Sequence, residues 1–247
     1  MKNIFTIIFL FLITGLTFSQ KATPVGFVSI PDGEMEVGSK SFKIRGFYMM
    51  SHEVTNEEYA EFLKWYKEKN GKDELEMVKP VVSKKDLPLL PKSYLKSSKF
   101  AKYPVVGITR DIAEKYCEYL KDTHPENKGL FRLPFEREWI YAAQGGRQNY
   151  NYSCGNSLTG INNELLCNFK SNGTTAAPLP AISLKPNEFG LYNMSGNVAE
   201  WIKEEGRSKG GSWNDSPLDL MLTAKDPRFG HKEATAFTGF RVVWVGE

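Results

Sequence analysis

Three cysteines and three histidines are the residues best suited to redox, thiolate or metal chemistry, and their spacing supports little of it. Cys117, Cys154 and Cys167 form no CxxC pair, so neither a zinc site nor a thioredoxin-like motif is indicated. An odd number leaves at least one thiol free within the chain. Cys117 falls on the apolar face of a helical pattern with Ile112, Ala113, Tyr116 and Leu120, where a buried structural role is expected. No two of His52, His124 and His231 have the spacing of metal ligands. There is no nucleophile elbow and no phosphate-binding glycine loop. One carboxylate stands out, Glu200, near the end of EFGLYNMSGNVAEW (Glu188 to Trp201). Gly190, Gly196 and Asn197 break any helical run there, yet the stretch carries Phe189, Leu191, Tyr192, Met194, Val198 and Trp201. Burying such an irregular segment leaves backbone carbonyls without ladder partners, which is costly. Either the turn satisfies itself, with Glu200 in a salt bridge, or a hard cation collects the carbonyls.

Regular elements must hold this loop. The stretch SIPDGEMEVGS (Ser29 to Ser39) reads as strand, turn and strand about Pro31-Asp32-Gly33, and GFYMMSHEVT as a further strand-like run. Thr55 and Glu58 form a capping box before a helix whose inner face is Tyr59, Phe62, Leu63 and Tyr66. A second helix follows in ITRDIAEKYCEYL. A third lies in FRLPFEREWIYAAQGG, with Phe135, Trp139 and Ala142 or Ala143 inward and Gly145-Gly146 as its stop. Between the first two helices, residues 67–102 are rich in lysine and interrupted by prolines, and read as a surface excursion rather than a second domain. Past Gly146 regular patterning nearly vanishes until the terminal strand GFRVVWV.

With 247 residues, 21 glycines and 13% aromatics, the composition suits one loop-rich domain held by large side chains. A net charge of +3 is too balanced to argue for nucleic acid or an anionic membrane. Lys2 followed by the apolar run Ile4 to Phe18 reads as a signal peptide, residues 1–19, cleaved before Gln20. The expectation is an exported protein, periplasmic or extracellular, with one domain over 20–247, no stable membrane span, and disulfides permitted.

The succession IPDGEMEVGS, EVTNEEYAEF, YPVVGITRDIAEKYCEYL, FRLPFEREWIYAAQGG, FGLYNMSGNVAEW, KGGSW and GFRVV resembles the formylglycine-generating-enzyme (sulfatase-modifying-factor) domain from about Phe27 to Val243. The resemblance implies a compact, irregular α+β fold related to C-type lectins, with little regular secondary structure. It also implies structural calcium, held by the main-chain oxygens of Asn193, Gly196 and Val198 and the carboxylate of Glu200. A second calcium, as some relatives carry, would use Asn168, the Phe169 carbonyl, Asn172 and the Thr174 carbonyl.

The departures fall where the family's chemistry would be. Its enzymes oxidise a sulfatase cysteine with oxygen and a copper ion held by two thiolates, which suit Cu(I). Those positions here are Asp215 and Leu220, whereas the substrate-side Ser212 is kept. Copper is therefore not expected. The partner that some relatives supply to Cys117 is Val242 here. Cys154 and Cys167 are expected to form a disulfide or to be separate buried thiols. A branch of the superfamily binds iron through three histidines, which His52, His124 and His231 do not resemble in spacing.

These features imply a non-catalytic, calcium-stabilised structural or binding module. By analogy with silent domains in gliding-motility and secretion-apparatus proteins, its partner would be an envelope protein. Residues 67–102 and the aromatic-rich loops would supply the contact surface, with Trp213 as a candidate anchor. The alternative is an oxidase or maturation enzyme, of formylglycine-generating or siderophore-maturation type, using Asp215, Glu200 and Asp219 as acids or bases.

Overall fold

A computed structural model describes residues 23–37, 40–171, 177–225, 227, 230 and 232–246. The signal-peptide reading lies outside them, as do Asn172, Thr174 and His231. The architecture is α+β. Four antiparallel strands, in the order β1 (Phe27–Ile30), β4 (Phe47–Met50), β9 (Val243–Gly246) and β5 (Gly129–Arg132), form the main sheet. β2 (Gly33–Val37) and β3 (Lys40–Ile44) make a separate hairpin. The Pro31-Asp32-Gly33 turn thus passes the chain between sheets rather than folding a strand onto its neighbour. Asp32 holds it by accepting the Gly46 amide at 2.8 Å.

The helices start where local chemistry dictates. Thr55 caps α1 (Asn56–Asn70), its hydroxyl accepting the Glu58 amide while Glu58 accepts the Thr55 amide at 2.7 Å. Tyr59, Phe62 and Tyr66 are buried on its inner face. A short turn, α2 (Lys72–Leu75), follows. α3 (Arg110–Thr123) buries Ala113, Tyr116, Cys117 and Leu120, as their period requires. α4 (Glu136–Gln144) ends at Gly145 in the left-handed region, φ 60°. Arg132 grips Glu138 with two hydrogen bonds of 2.6 and 2.7 Å, and Glu138 also accepts the Phe135 amide. This explains the RLPFERE pattern. Phe135 itself is 44% exposed, contrary to the expected inward face. It sits at the N-cap, before helical periodicity begins, with the Arg132 guanidinium stacked 4.5 Å from its ring.

Residues 67–102 contribute to the interior as well as the surface. Val78 joins the core around α1 and α3, while Leu90, Tyr94 and Phe100 pack with Val106, Val198, Trp213 and Ala236. The last layer is a small sheet, β7 (Ser208–Lys209), β6 (Ala199–Trp201) and β8 (Thr238–Gly239), with β6 central. It takes the end of the irregular loop, Ala199 to Trp201, as its central strand.

Candidate functional site

The stretch from Glu188 to Trp201 is pinned from several sides. Tyr192 donates its amide to Ser51, Gly196 to Gly210 and Asn197 to Asn168, each at 2.8 Å, and the Asn197 carbonyl accepts from Trp213. Asn193 and Asn197 take positive φ, 54° and 62°, as does Gly196 at 87°. A Cβ on Gly196 would collide with the Asn168 carbonyl, so glycine is needed for the close approach as well as the dihedral. The carbonyl oxygens of Asn193, Gly196 and Val198 receive no hydrogen bond from any described residue.

Beneath the loop lies a buried polar cluster. Glu200 is 1% exposed and Arg241 is not exposed at all. Arg241 donates to both Glu200 oxygens, Nε to Oε2 at 2.8 Å and Nη2 to Oε1 at 2.7 Å. Its other donors meet the carbonyls of Met50, Ser51 and Tyr192. All five guanidinium hydrogens therefore have acceptors. Trp139 adds its indole N–H to Glu200 Oε2 at 2.8 Å. Oε2 thus accepts two bonds and Oε1 one, leaving a lone pair on Oε1.

A second carboxyl, Glu53, is fully buried beside this pair. Asn193 and Asn197 donate their side-chain amides to its two oxygens at 3.1 and 2.9 Å. Asn197 Oδ1 accepts from the Leu179 amide and from Asn168, which fixes the orientation of its amide. Burial pushes the Glu53 carboxyl up to about 8; Arg241 opposes this, Glu200 adds to it, and the two amides oppose it. Two hydrogen-bonded groups, Glu53 with Asn193 and Asn197, and Glu200 with Arg241, thus lie side by side and interact through their charges. Glu53 and Arg241 did not stand out in the sequence. Their signal was present, since an ionisable residue inside SHEVTN or GFRVVWV must be buried with a partner.

The positions of the missing thiolates are structural. Asp215 Oδ2 accepts from both the amide and the hydroxyl of Ser212 at 2.7 Å. Leu220 is completely buried against Leu158, Cys167 and Phe169. Asp219 accepts from the amide and hydroxyl of Ser216. Trp213 is 2% exposed and packs on Phe237, so it is core rather than an interface anchor. The two glycines before it turn the chain inward.

Cys154 and Cys167 are joined by a disulfide, and Cys117 is a buried free thiol. The bridge closes a short loop under Leu220. Its removal, by Cys154→Ser with Cys167→Ser, is expected to cost about 3 kcal/mol. Urea unfolding of the double variant beside the parent checks this, and an unchanged midpoint would show that the loop needs no staple.

Of the calcium candidates, Asn193, Gly196 and Val198 lie in the irregular stretch, and Glu200 follows at its end in β6. Asn168 gives its amide to Ala177 and Asn197, and Phe169 is buried beside the disulfide. His52 bonds Ser51 and Glu58, and His124 bonds Thr123 and Leu120. Among the described residues no three His, Cys, Asp or Glu side chains gather as a metal group. A cation here would rely mainly on main-chain oxygens, with Glu200 as its single carboxylate candidate.

The profile of the family described as "Sulfatase-modifying factor enzyme 1-like domain" matches residues 14–245. Among characterised proteins, the chain is 31% identical over 163 residues to "Serine/threonine-protein kinase pkn1" of Chlamydia caviae, covering 65% of this chain and 23% of that protein. It is 40% identical over 113 residues to "Formylglycine-generating enzyme" of Thermomonospora curvata, covering 41% of this chain and 33% of that one. The chain therefore spans about a quarter to a third of the length of these relatives. Among solved structures, CarF superposes with a TM-score of 0.68 at 21% identity, covering 91% of this chain and 99% of that one. At that identity the likeness is one of fold.

Proposed function

Since the chain belongs to the sulfatase-modifying factor enzyme 1-like domain family, we propose that it is a non-catalytic member, a calcium-stabilised structural or binding module. The observation that carries this reading is the fate of the two thiolate positions. A buried leucine cannot hold copper, and Asp215 is already committed to Ser212. The rival reading, an oxidase using Asp215, Glu200 and Asp219, gains no support from their surroundings. Asp215 and Asp219 each bind the serine three residues earlier, and Glu200 is paired with Arg241.

Calcium fits the loop. Among the described residues the Asn193, Gly196 and Val198 carbonyls lack donors and Glu200 keeps a lone pair on Oε1. The ion would satisfy these oxygens and tie the loop to β6. The apolar run at the N-terminus supports export, to the periplasm or the exterior, with an envelope protein as partner. Among the described residues no helix is long and apolar enough to cross a membrane.

Three measurements test the reading. Incubation with a cysteine-containing sulfatase peptide, copper and reductant is expected to leave the thiol mass unchanged. Aldehyde formation at a rate like that of an active relative would sink the non-catalytic assignment. Metal analysis of the purified chain is expected to find calcium. Chelator is expected to lower the melting temperature, by an amount equivalent to about 3 kcal/mol if calcium stood at a hundredfold excess over Kd. Stoichiometric copper or iron would favour the oxidase.

A further inference from the structure

The near-neutral total charge hides a strong local asymmetry. Residues 79–102 contain seven lysines and one acidic residue, Asp86. Lys79 and Lys102 are neutralised by Glu76 and Glu57, and Lys99 lies over the Phe100 ring. Lys84, Lys85, Lys92 and Lys96 are exposed and meet no acidic partner among the described residues. Interleaved with them are large apolar side chains that the fold leaves in solvent: Val81 at 63%, Leu87 at 52% and Leu89 at 47% exposure.

This surface is built. The amides of Asp86 and Leu87 bond the Ser83 carbonyl, Leu89 bonds Asp86, and Leu90 bonds Leu87, closing a tight turn. Its base is anchored by the Val81 amide on the Gly107 carbonyl at 2.6 Å and by buried Leu90. The Tyr94 hydroxyl on the Pro104 carbonyl adds a second anchor. A rigid turn that holds Lys84, Lys85, Leu87 and Leu89 in solvent has already met the ordering cost that a flexible loop would meet on binding.

We infer that the exposed turn carrying Lys84, Lys85, Leu87 and Leu89, with Lys92 and Lys96 following it, docks on an anionic lipid surface. Lysines attract anionic headgroups while leucines beside them enter the headgroup boundary; neither effect alone gives stable attachment, and the two add. The apolar side chains stand singly among charges on an exposed turn, which suits a deformable interface. The inference does not depend on whether the site beneath Asn193 is catalytic.

Co-sedimentation of the purified chain with vesicles tests it. Vesicles rich in phosphatidylglycerol are expected to retain the chain at least tenfold better than phosphatidylcholine vesicles. Raising salt from about 0.1 M to about 1 M, which shortens the screening length from about 10 to about 3 Å, is expected to abolish most of the difference. Lys84→Glu with Lys85→Glu, and separately Leu87→Ser with Leu89→Ser, are each expected to reduce retention at least tenfold while leaving the melting temperature within about 2 °C, as exposed substitutions do. Equal retention on both vesicle types, retention unaffected by either pair, or no retention at low salt overturns the inference. The last outcome would leave an acidic protein as the better partner for this face.

Discussion

Arg241→Met is expected to cost about 3–5 kcal/mol of folding stability, the range seen when one member of a buried ion pair is removed. The arginine is completely enclosed, and its five donors serve Glu200 and three backbone carbonyls. Without it, the Trp139 N–H is the one donor that the Glu200 carboxylate keeps among the described residues, the carbonyls of Met50 and Tyr192 lose the arginine, and the Ser51 carbonyl keeps only the Tyr192 amide among them. The pair as a whole is a different matter, because desolvating two charges offsets much of their attraction. Arg241→Met combined with Glu200→Met is therefore expected to cost less than the sum of the single changes. Urea denaturation of the parent, both singles and the double supplies the cycle. Strict additivity, or a loss under about 1 kcal/mol for Arg241→Met, would mean that the network is not cooperative. Glu200→Gln perturbs this ion pair as well as any cation site, so it cannot report on calcium alone.

The second large effect concerns pH. Burial holds the Glu53 carboxyl protonated in the fold up to about 8, with Arg241 opposing and Glu200 reinforcing, whereas the unfolded chain releases that proton near 4.5. Between those values the unfolded state binds fewer protons than the folded one, so stability falls as pH rises. The slope is about 1.4 kcal/mol per pH unit, on the order of 5 kcal/mol across the window. Glu53→Gln cannot ionise and is expected to lose this slope. Its amide N–H2 must face one of the two asparagine donors, so at pH 5 the variant is expected to be less stable by about 1 kcal/mol. At that slope the curves are expected to cross at about pH 6, above which the variant is the more stable protein. Thermal melts from pH 4.5 to 9 show whether the two curves cross; parallel curves would refute the assignment. Glu58 acts in the opposite sense. Burial raises its carboxyl, but the His52 and Thr55 hydrogen bonds outweigh burial and hold it below the usual range. Its contribution is lost as pH falls through that lowered value, in parent and variant alike.

What could be read from the sequence was what local chemistry encodes. The Thr55–Glu58 box and the Ala113, Tyr116, Cys117, Leu120 face need only neighbours in the chain, and both are as expected. The family motifs gave the α+β fold, and the departures at Asp215 and Leu220 were visible directly. Strand order was not legible, because β9 pairs with β4 and β5 from remote parts of the chain. Trp213 illustrates a second limit. An aromatic residue after two glycines reads equally as anchor or core, and only the packing of Phe237 and Val198 decides. In residues 67–102 the lysines masked Val78, Leu90, Tyr94 and Phe100, whose spacing has no period to betray burial. Glu53 and Arg241 escaped notice because a partner for a buried charge is found by folding, not by counting along the chain.

Cys117 gives the molecule a built-in clock. All three cysteines are among the described residues; two are bonded to each other, and the third is 5% exposed, its thiol donating to the Ala113 carbonyl at 3.4 Å. Burial holds the thiol protonated far above its ordinary range, and nearby Glu114 adds to this. A protonated, enclosed thiol does not react with alkylating reagents. One mass increment per chain therefore records the moment α3 leaves the core, and counting labelled chains over time times the opening of the native state without any introduced probe.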